Sequence, residues 1–182
     1  MDRSDKKELI ADTYTRLLAE IPGGNITVTM LIRECGISRQ TFYYHFRDIM
    51  DVVEYILRKG LSDILAAPED PDDPAEALRR LIREIDDNRE LIRKLGETPR
   101  SREIQKCVTA VITEISEQVI ENRTDLTGKH SISEMRFALS MYAHGFEGYI
   151  LDRIERNEPL EADVLADLLY RFITGELSML SF

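Results

Sequence analysis

The sequence predicts an all-α fold, and three observations carry that expectation. Apolar residues recur every three to four positions in long segments, as in Leu9, Ile10, Tyr14, Leu17, Leu18 and Ile21. Alternating Val/Ile/Thr runs of the kind that pleat into strands are hard to find. Glycine and proline are sparse, at 9 and 6 of 182 residues, and there is no tryptophan. A hydrophobic content of 43% is enough to bury a core over this length.

The first helix is "KKELIADTYTRLLAEI", stopped by Pro22, Gly23 and Gly24. Thr27 is suited to cap a short second helix through Met30, Leu31, Ile32 and Glu34, and Gly36 to end it in a left-handed conformation. Ser38 can cap a third helix beginning at Arg39, so residues 27–46 read as helix, tight turn and helix. Asp48 can cap a fourth, "IMDVVEYILRKGLSDILA", expected to connect two domains. The run "APEDPDDP", residues 67–74, is the clearest boundary, and its spacing is not that of a calcium loop.

Beyond it, Asp73 at the cap, Pro74 in the first turn and Glu76 predict a helix reaching about Leu95. Thr98 and Pro99 open another, ending near Asn122. "RTDLTGKHS" reads as a loop, followed by helices over about 132–156 and 160–178. The expected organisation is a helix-turn-helix domain over 1–47, a connecting helix over 48–66, a linker over 67–74 and a helical regulatory domain over 75–182.

Charge is divided unevenly along this plan. Residues 1–60 carry 9 Lys/Arg and 9 Asp/Glu, so the whole net charge of −10 lies downstream. From Gly36 to Arg47 there is no acid, and "CGISRQTFYYHF" packs four aromatic rings, a histidine and an arginine into twelve positions. In a helix-turn-helix the second helix enters the major groove with its first turn toward the bases. Here that turn is Arg39, Gln40 and Thr41 after Ser38, residue types that pair with guanine, adenine and thymine edges. Tyr43, Tyr44 and His45 are long enough to reach flanking phosphates, and Thr27, Thr29 and Arg47 are further DNA-binding candidates, while Phe42 and Phe46, four apart, face inward. Each ring taken singly also fits core packing. The whole run from Thr27 to Phe46 favours a reading surface with an apolar anchor.

Residues 5–60, and "ITVTMLIRECGISRQTFYYHFRDIMDVVEYIL" above all, resemble the N-terminal domain of the tetracycline-repressor (TetR-like) family of bacterial regulators. The R-Q-T-F-Y-Y-H-F version is further similar to the branch that includes regulators of dihydroxyacetone kinase. One departure stands out: the family often has a phosphate-anchoring Lys at the position of Ile49, and Arg47 is the nearby cation that could replace it. The resemblance implies a ligand-responsive transcriptional regulator, usually a repressor, that binds a palindromic DNA operator as a homodimer through its last two long helices.

The residues themselves agree with dimerisation. Val164, Leu165, Leu168, Leu169, Phe172, Ile173 and Leu177 form a broad apolar face, and residues 133–151 are apolar on more than one side. Ser140, Ala143, Gly145 and Gly148 would allow close helix approach. Cys107, Met135, Met141, Tyr142, His144, Phe146 and Tyr149 have the composition of a small-molecule effector pocket, though core packing explains most of them equally well. His45, His130, His144, Cys35 and Cys107 lack metal-ligand spacing, and no cofactor is expected. The N-terminus lacks a signal-peptide core and no apolar run approaches ~18 residues, so a cytoplasmic protein without a membrane span is expected. An enzyme is not: there is no Gly-rich phosphate loop, paired-His motif or Ser-His-Asp order. The competing reading is a protein of this fold that acts mainly through a protein partner.

Overall fold

The computed structural model describes residues 3–66, 75–122, 131–173 and 176, and every regular element among them is helical. The helices are α1 (Arg3–Glu20), α2 (Val28–Cys35), α3 (Arg39–His45), α4 (Ile49–Ala66), α5 (Glu76–Asp87), α6 (Arg89–Glu97), α7 (Ser101–Asn122), α8 (Ile132–Glu155) and α9 (Ala162–Ile173), with a short 3-10 turn at Pro22–Gly24 after α1. The expected linker over 67–74, the Asp73 cap and the loop over 123–130 lie outside the described residues. Among the described helices, none is long and apolar enough to cross a membrane.

The chain divides into two units. The first gathers residues 1–60 and 90–111, and the second residues 61–89 and 112–182. In the first, the apolar stripe of α1 (Ile10, Tyr14, Leu17, Leu18) meets Leu31 of α2, Phe42 of α3 and Val52 and Val53 of α4 in one core. Ile104 of α7 is buried in that same core, and Leu91, Leu95 and Val108 pack against it. The segment 90–111 therefore completes the hydrophobic support of the N-terminal helices.

Two boundaries differ from the sequence reading. The single helix expected from Asp73 to Leu95 is broken at Asn88, whose backbone N–H and side-chain amide both donate to Glu84 O, at 3.1 and 2.9 Å. An asparagine that satisfies a helix-end carbonyl with its own side chain offers the backbone an exit from the helix. Thr98, expected to open α7, instead turns its hydroxyl back onto Leu95 O of α6 at 2.9 Å. The α7 helix begins at Ser101.

In the second unit α5 packs on α9, with Ile82 and Ala166 fully buried. Arg79 reaches Asp163 (3.2 Å) and Asp167 (3.3 Å), and Arg83 reaches Asp163 (2.7 Å). The two guanidiniums hold the Asp163 carboxyl below its usual range. A capping box starts α8: the Ser131 hydroxyl accepts from Glu134 N–H, and the Glu134 carboxylate accepts from Ser131 N–H at 2.8 Å. The α8–α9 turn places Asn157 and Glu161 at positive φ, and Arg89 and Arg153 donate to the carbonyls of Glu158 and Pro159 within it.

Candidate nucleic-acid interface

Short-range chemistry builds the α2–α3 pair. The Thr27 hydroxyl accepts from Met30 N–H at 3.3 Å, satisfying one of the free donors at the start of α2. At the other end Gly36 takes φ +62°. Gly36 N–H donates to Arg33 O and Ile37 N–H to Ile32 O, both at 3.2 Å. That pair of bonds is a Schellman closure, and a side chain at Gly36 would pay the left-handed penalty of about 1–2 kcal/mol. Two residues on, the Ser38 hydroxyl accepts from Thr41 N–H at 3.0 Å and bonds the Thr41 hydroxyl at 2.8 Å.

The α3 helix is only seven residues long, too short to hold itself in water, so its inner face must carry it. Phe42 is fully buried and Phe46 nearly so. Burying each ring is worth roughly 1.5–3 kcal/mol. Phe46 also meets the Tyr55 ring of α4 at 5.6 Å, and the Lys7 ammonium of α1 lies 5.6 Å from Phe46 and 5.2 Å from Tyr55. The outer face is the reverse. Arg39 and Gln40 are exposed, and Tyr43 and Tyr44 remain 51% and 63% exposed, too much for core residues. His45 is half-buried beneath Tyr44, ring to ring at 5.0 Å.

The expected reading residues thus come together on and beside α3: Ser38, Arg39, Gln40, Tyr43, Tyr44 and Arg47 are exposed, and Thr41 is half-buried. Thr27 and Thr29 are exposed at the start of α2. Ile49 is core, 3% exposed and packed with Val52 and Val53. Two residues that sequence reasoning did not single out also matter here. Asp51 pairs with Arg47, an i,i+4 spacing visible in the sequence. Lys7 braces the aromatic cluster from α1, a contact without local signal.

The residues expected to line an effector pocket are spread. Cys107 belongs to the first unit, the others to the second. Tyr142 and Phe146 are half-buried, with Tyr142 against Phe172 of α9 at 5.1 Å. Met141 (58%) and Tyr149 (46%) are exposed, as is His144, whose Nδ1 lies 2.7 Å from Ser140 O. The side chain of Met135 lies outside the described residues.

Residues 72–175, more than half of the 182, match TetR_C_8, the family of transcriptional regulator C-terminal regions. The chain belongs to this TetR family of transcriptional regulators. TetR-family chains are regulators, not enzymes. Solved structures agree in fold. A TetR-family transcriptional regulator from Syntrophomonas wolfei matches with a TM-score of 0.67 at 15% identity, covering 98% of this chain and 100% of that one. The dihydroxyacetone kinase operon activator DhaS matches with a TM-score of 0.63 at 18% identity, covering 93% and 94%. The fatty acid degradation regulator FadR from Bacillus halodurans matches with a TM-score of 0.61 at 12% identity, covering 94% and 99%. At such identities the likeness carries the fold alone. No curated protein sequence matches this chain.

Proposed function

We propose that this TetR-family chain is a cytoplasmic, ligand-responsive repressor that binds a palindromic operator as a homodimer. The observation that carries the reading is the two-sided character of α3. Its first turn offers exposed Arg39 and Gln40 with no acid nearby in sequence, while Phe42 and Phe46 clamp it to the core. In the major groove, Arg39, Gln40 and Thr41 read base edges, and Tyr43, Tyr44, His45 and Arg47, with Thr27, Thr29 and Ser38, position the duplex.

The homodimer is supported by the exposed face of α8 and α9. Phe137, Met141 and Tyr149 on α8, and Val164, Leu168 and Phe172 on α9, are large apolar side chains left in water. On the same α8, a Cβ added at Gly145 or Gly148 would meet nothing within 4 Å. Each glycine costs a helix interior about 1 kcal/mol relative to alanine. Packing against the described residues does not require them, and close approach of a second α8 would. Two-fold symmetry then places the α3 helices about 34–36 Å apart on successive major grooves.

In this reading residues 1–47 contact DNA, α4 connects, and the effector and the dimer face lie within residues 75–182, of which 90–111 support the N-terminal helices. Tyr142 and Phe146 are the expected pocket residues best placed to face an interior; Met141 and Tyr149 fit the partner copy. Selection of bound duplexes from random sequence, followed by a salt-dependent gel shift, tests the proposal. A palindromic consensus is the expected result.

A second reading, action through a protein partner, has one observation in its favour: all of the −10 charge lies beyond residue 60, where an electropositive partner could dock. Operator binding that persists unchanged across small-molecule screens, but responds to an added protein, would favour it.

A further inference from the structure

The sequence has one cation between Arg39 and Arg58, and that is Arg47. It follows directly on Phe46, whose buried ring and extended backbone (φ −139°, ψ 139°) fix where the chain leaves α3. Ile49, the next residue but one, is in the core and cannot reach a ligand. The arginine at the C-terminal end of α3 is Arg47, whose side chain is 82% exposed, next to His45 and to the Lys7 ammonium over the Phe46 ring.

A long exposed arginine is ordinarily free to sample many rotamers. This one is held by two side-chain hydrogen bonds to one carboxylate, which also accepts its backbone N–H. Arg47 N–H donates to Asp51 Oδ2 at 2.9 Å, Nε–H to the same oxygen at 3.2 Å, and Nη2–H to Oδ1 at 2.8 Å. Asp51 is itself fixed, its backbone N–H donating to the Asp48 carboxylate at 3.0 Å in the first turn of α4. The Arg47 fork keeps the Asp51 carboxyl below its usual range, so the pair stays charged at neutral pH. A fork engaged through Nε and one Nη2 hydrogen leaves its remaining N–H donors available on an exposed group.

We propose that Asp51 is a positioning residue for DNA binding: it pre-orients Arg47 as the phosphate anchor at the C-terminal end of α3. The inference rests on the DNA-reading function proposed above. Pre-orientation removes the ordering cost of one rotamer-rich side chain at the moment of binding, without adding sequence information. Loss of that effect weakens every duplex alike, by roughly two- to tenfold.

The test uses the full chain and fluorescence-anisotropy titrations with a selected duplex and a scrambled one across a salt series. Asp51→Asn is expected to weaken both duplexes by a similar factor while leaving the salt slope unchanged, since the Arg47 charge remains. Arg47→Ala is expected to weaken both and lower the slope by about one unit. The double variant should be no weaker than Arg47→Ala alone. Because Asp51→Asn also touches the start of α4, Arg47→Lys provides a variant that keeps the charge and the α4 cap but cannot form the fork. It too should lose affinity at constant slope. Tighter binding by Asp51→Asn would make the carboxylate a competitor of phosphate and overturn the inference, as would additive losses in the double variant or wild-type affinity in Arg47→Lys. If those results arise while Arg39→Ala still weakens the selected duplex, the DNA-reading function stands and only the role of Asp51 falls. A wild-type chain that binds no duplex overturns both.

Discussion

Gly24 lies so close to Thr98 that a Cβ at Gly24 would sit 2.6 Å from Thr98 Cγ2, and 2.9 Å from Leu18 Cδ1. The contact joins the turn after α1 to the α6–α7 corner, within one unit. Gly24 also has φ +55°, so a side chain there meets strain and overlap together. Gly24→Ala should destabilise the first unit by about 2–5 kcal/mol, the sum of a left-handed residue and an overpacked core. Introducing Thr98→Ser, which removes the opposing methyl but keeps the hydroxyl, should restore part of the loss. Urea unfolding of the single and double variants checks both; equal stability of Gly24→Ala and wild type would show that the turn repacks.

Base reading and helix support should separate at the start of α3. Arg39→Ala and Gln40→Ala are expected to relax preference at particular base pairs, each by about 1–3 kcal/mol, with thermal stability unchanged. Ser38→Ala removes the cap that accepts from Thr41 N–H, and should cost about 1 kcal/mol of stability before any DNA effect. Thr41→Ala should do some of each, because its hydroxyl is bonded to Ser38. Parallel melting and selected-duplex titrations distinguish the classes.

Self-association should depend on the open side of the α8 glycines. Gly145→Ala with Gly148→Ala raises intrinsic helix propensity by about 1 kcal/mol per site, and the added methyls meet nothing within 4 Å among the described residues. A more stable monomer that associates more weakly is the expected outcome, read by light scattering against the 21.0 kDa chain mass. Leu168→Glu should weaken association further by placing a charge on the α9 face. A wild-type mass of one chain at every concentration would defeat the homodimer proposal.

Alkaline pH should loosen the first unit through Tyr14. Burial pushes its hydroxyl from 10 up to about 12, with Arg100 acting in the opposite direction. The unfolded chain ionises first, so the stabilisation is complete below pH 10 and is lost as pH rises toward 12, by roughly 2–3 kcal/mol. Tyr14→Phe should flatten that limb of the stability profile relative to wild type. Chemical unfolding at pH 8 and pH 11 measures the difference.

Acid should act on the other unit. The Asp163 carboxyl is held down by hydrogen bonds from Arg79 and Arg83, so its contribution is present above 3.8, its usual value, and fades as pH falls below it. Asp163 is exposed, which keeps the effect small and salt-sensitive. Asp163→Asn should be less stable than wild type at pH 7, with the gap narrowing as pH falls below 3.8. A difference that does not narrow on acidification would mean that packing, not charge, links α5 to α9 at this point.

By itself the sequence determined the features set by neighbours a few residues apart. Thr27, Gly36 and Ser38 act on backbone groups within four positions, so their capping roles follow from residue type and spacing, and the inward placement of Phe42 and Phe46 follows from helical periodicity. Arg47 with Asp51 carries a local signal of the same kind, an i,i+4 spacing, but sequence reasoning did not single it out. Only the tertiary structure decided that residues 90–111 complete the core around α1–α4, that Lys7 braces the rings behind α3, and that Gly24 is required by Thr98. These contacts join residues many positions apart, and hydrophobic packing is non-directional: periodicity says that Leu91, Leu95, Ile104 and Val108 must be buried, but not against what. The same reason separates Tyr142, turned toward Phe172, from Met141, left in water one residue earlier, since apolar side chains on several sides of α8 are alike in sequence until the neighbouring helices choose which to cover.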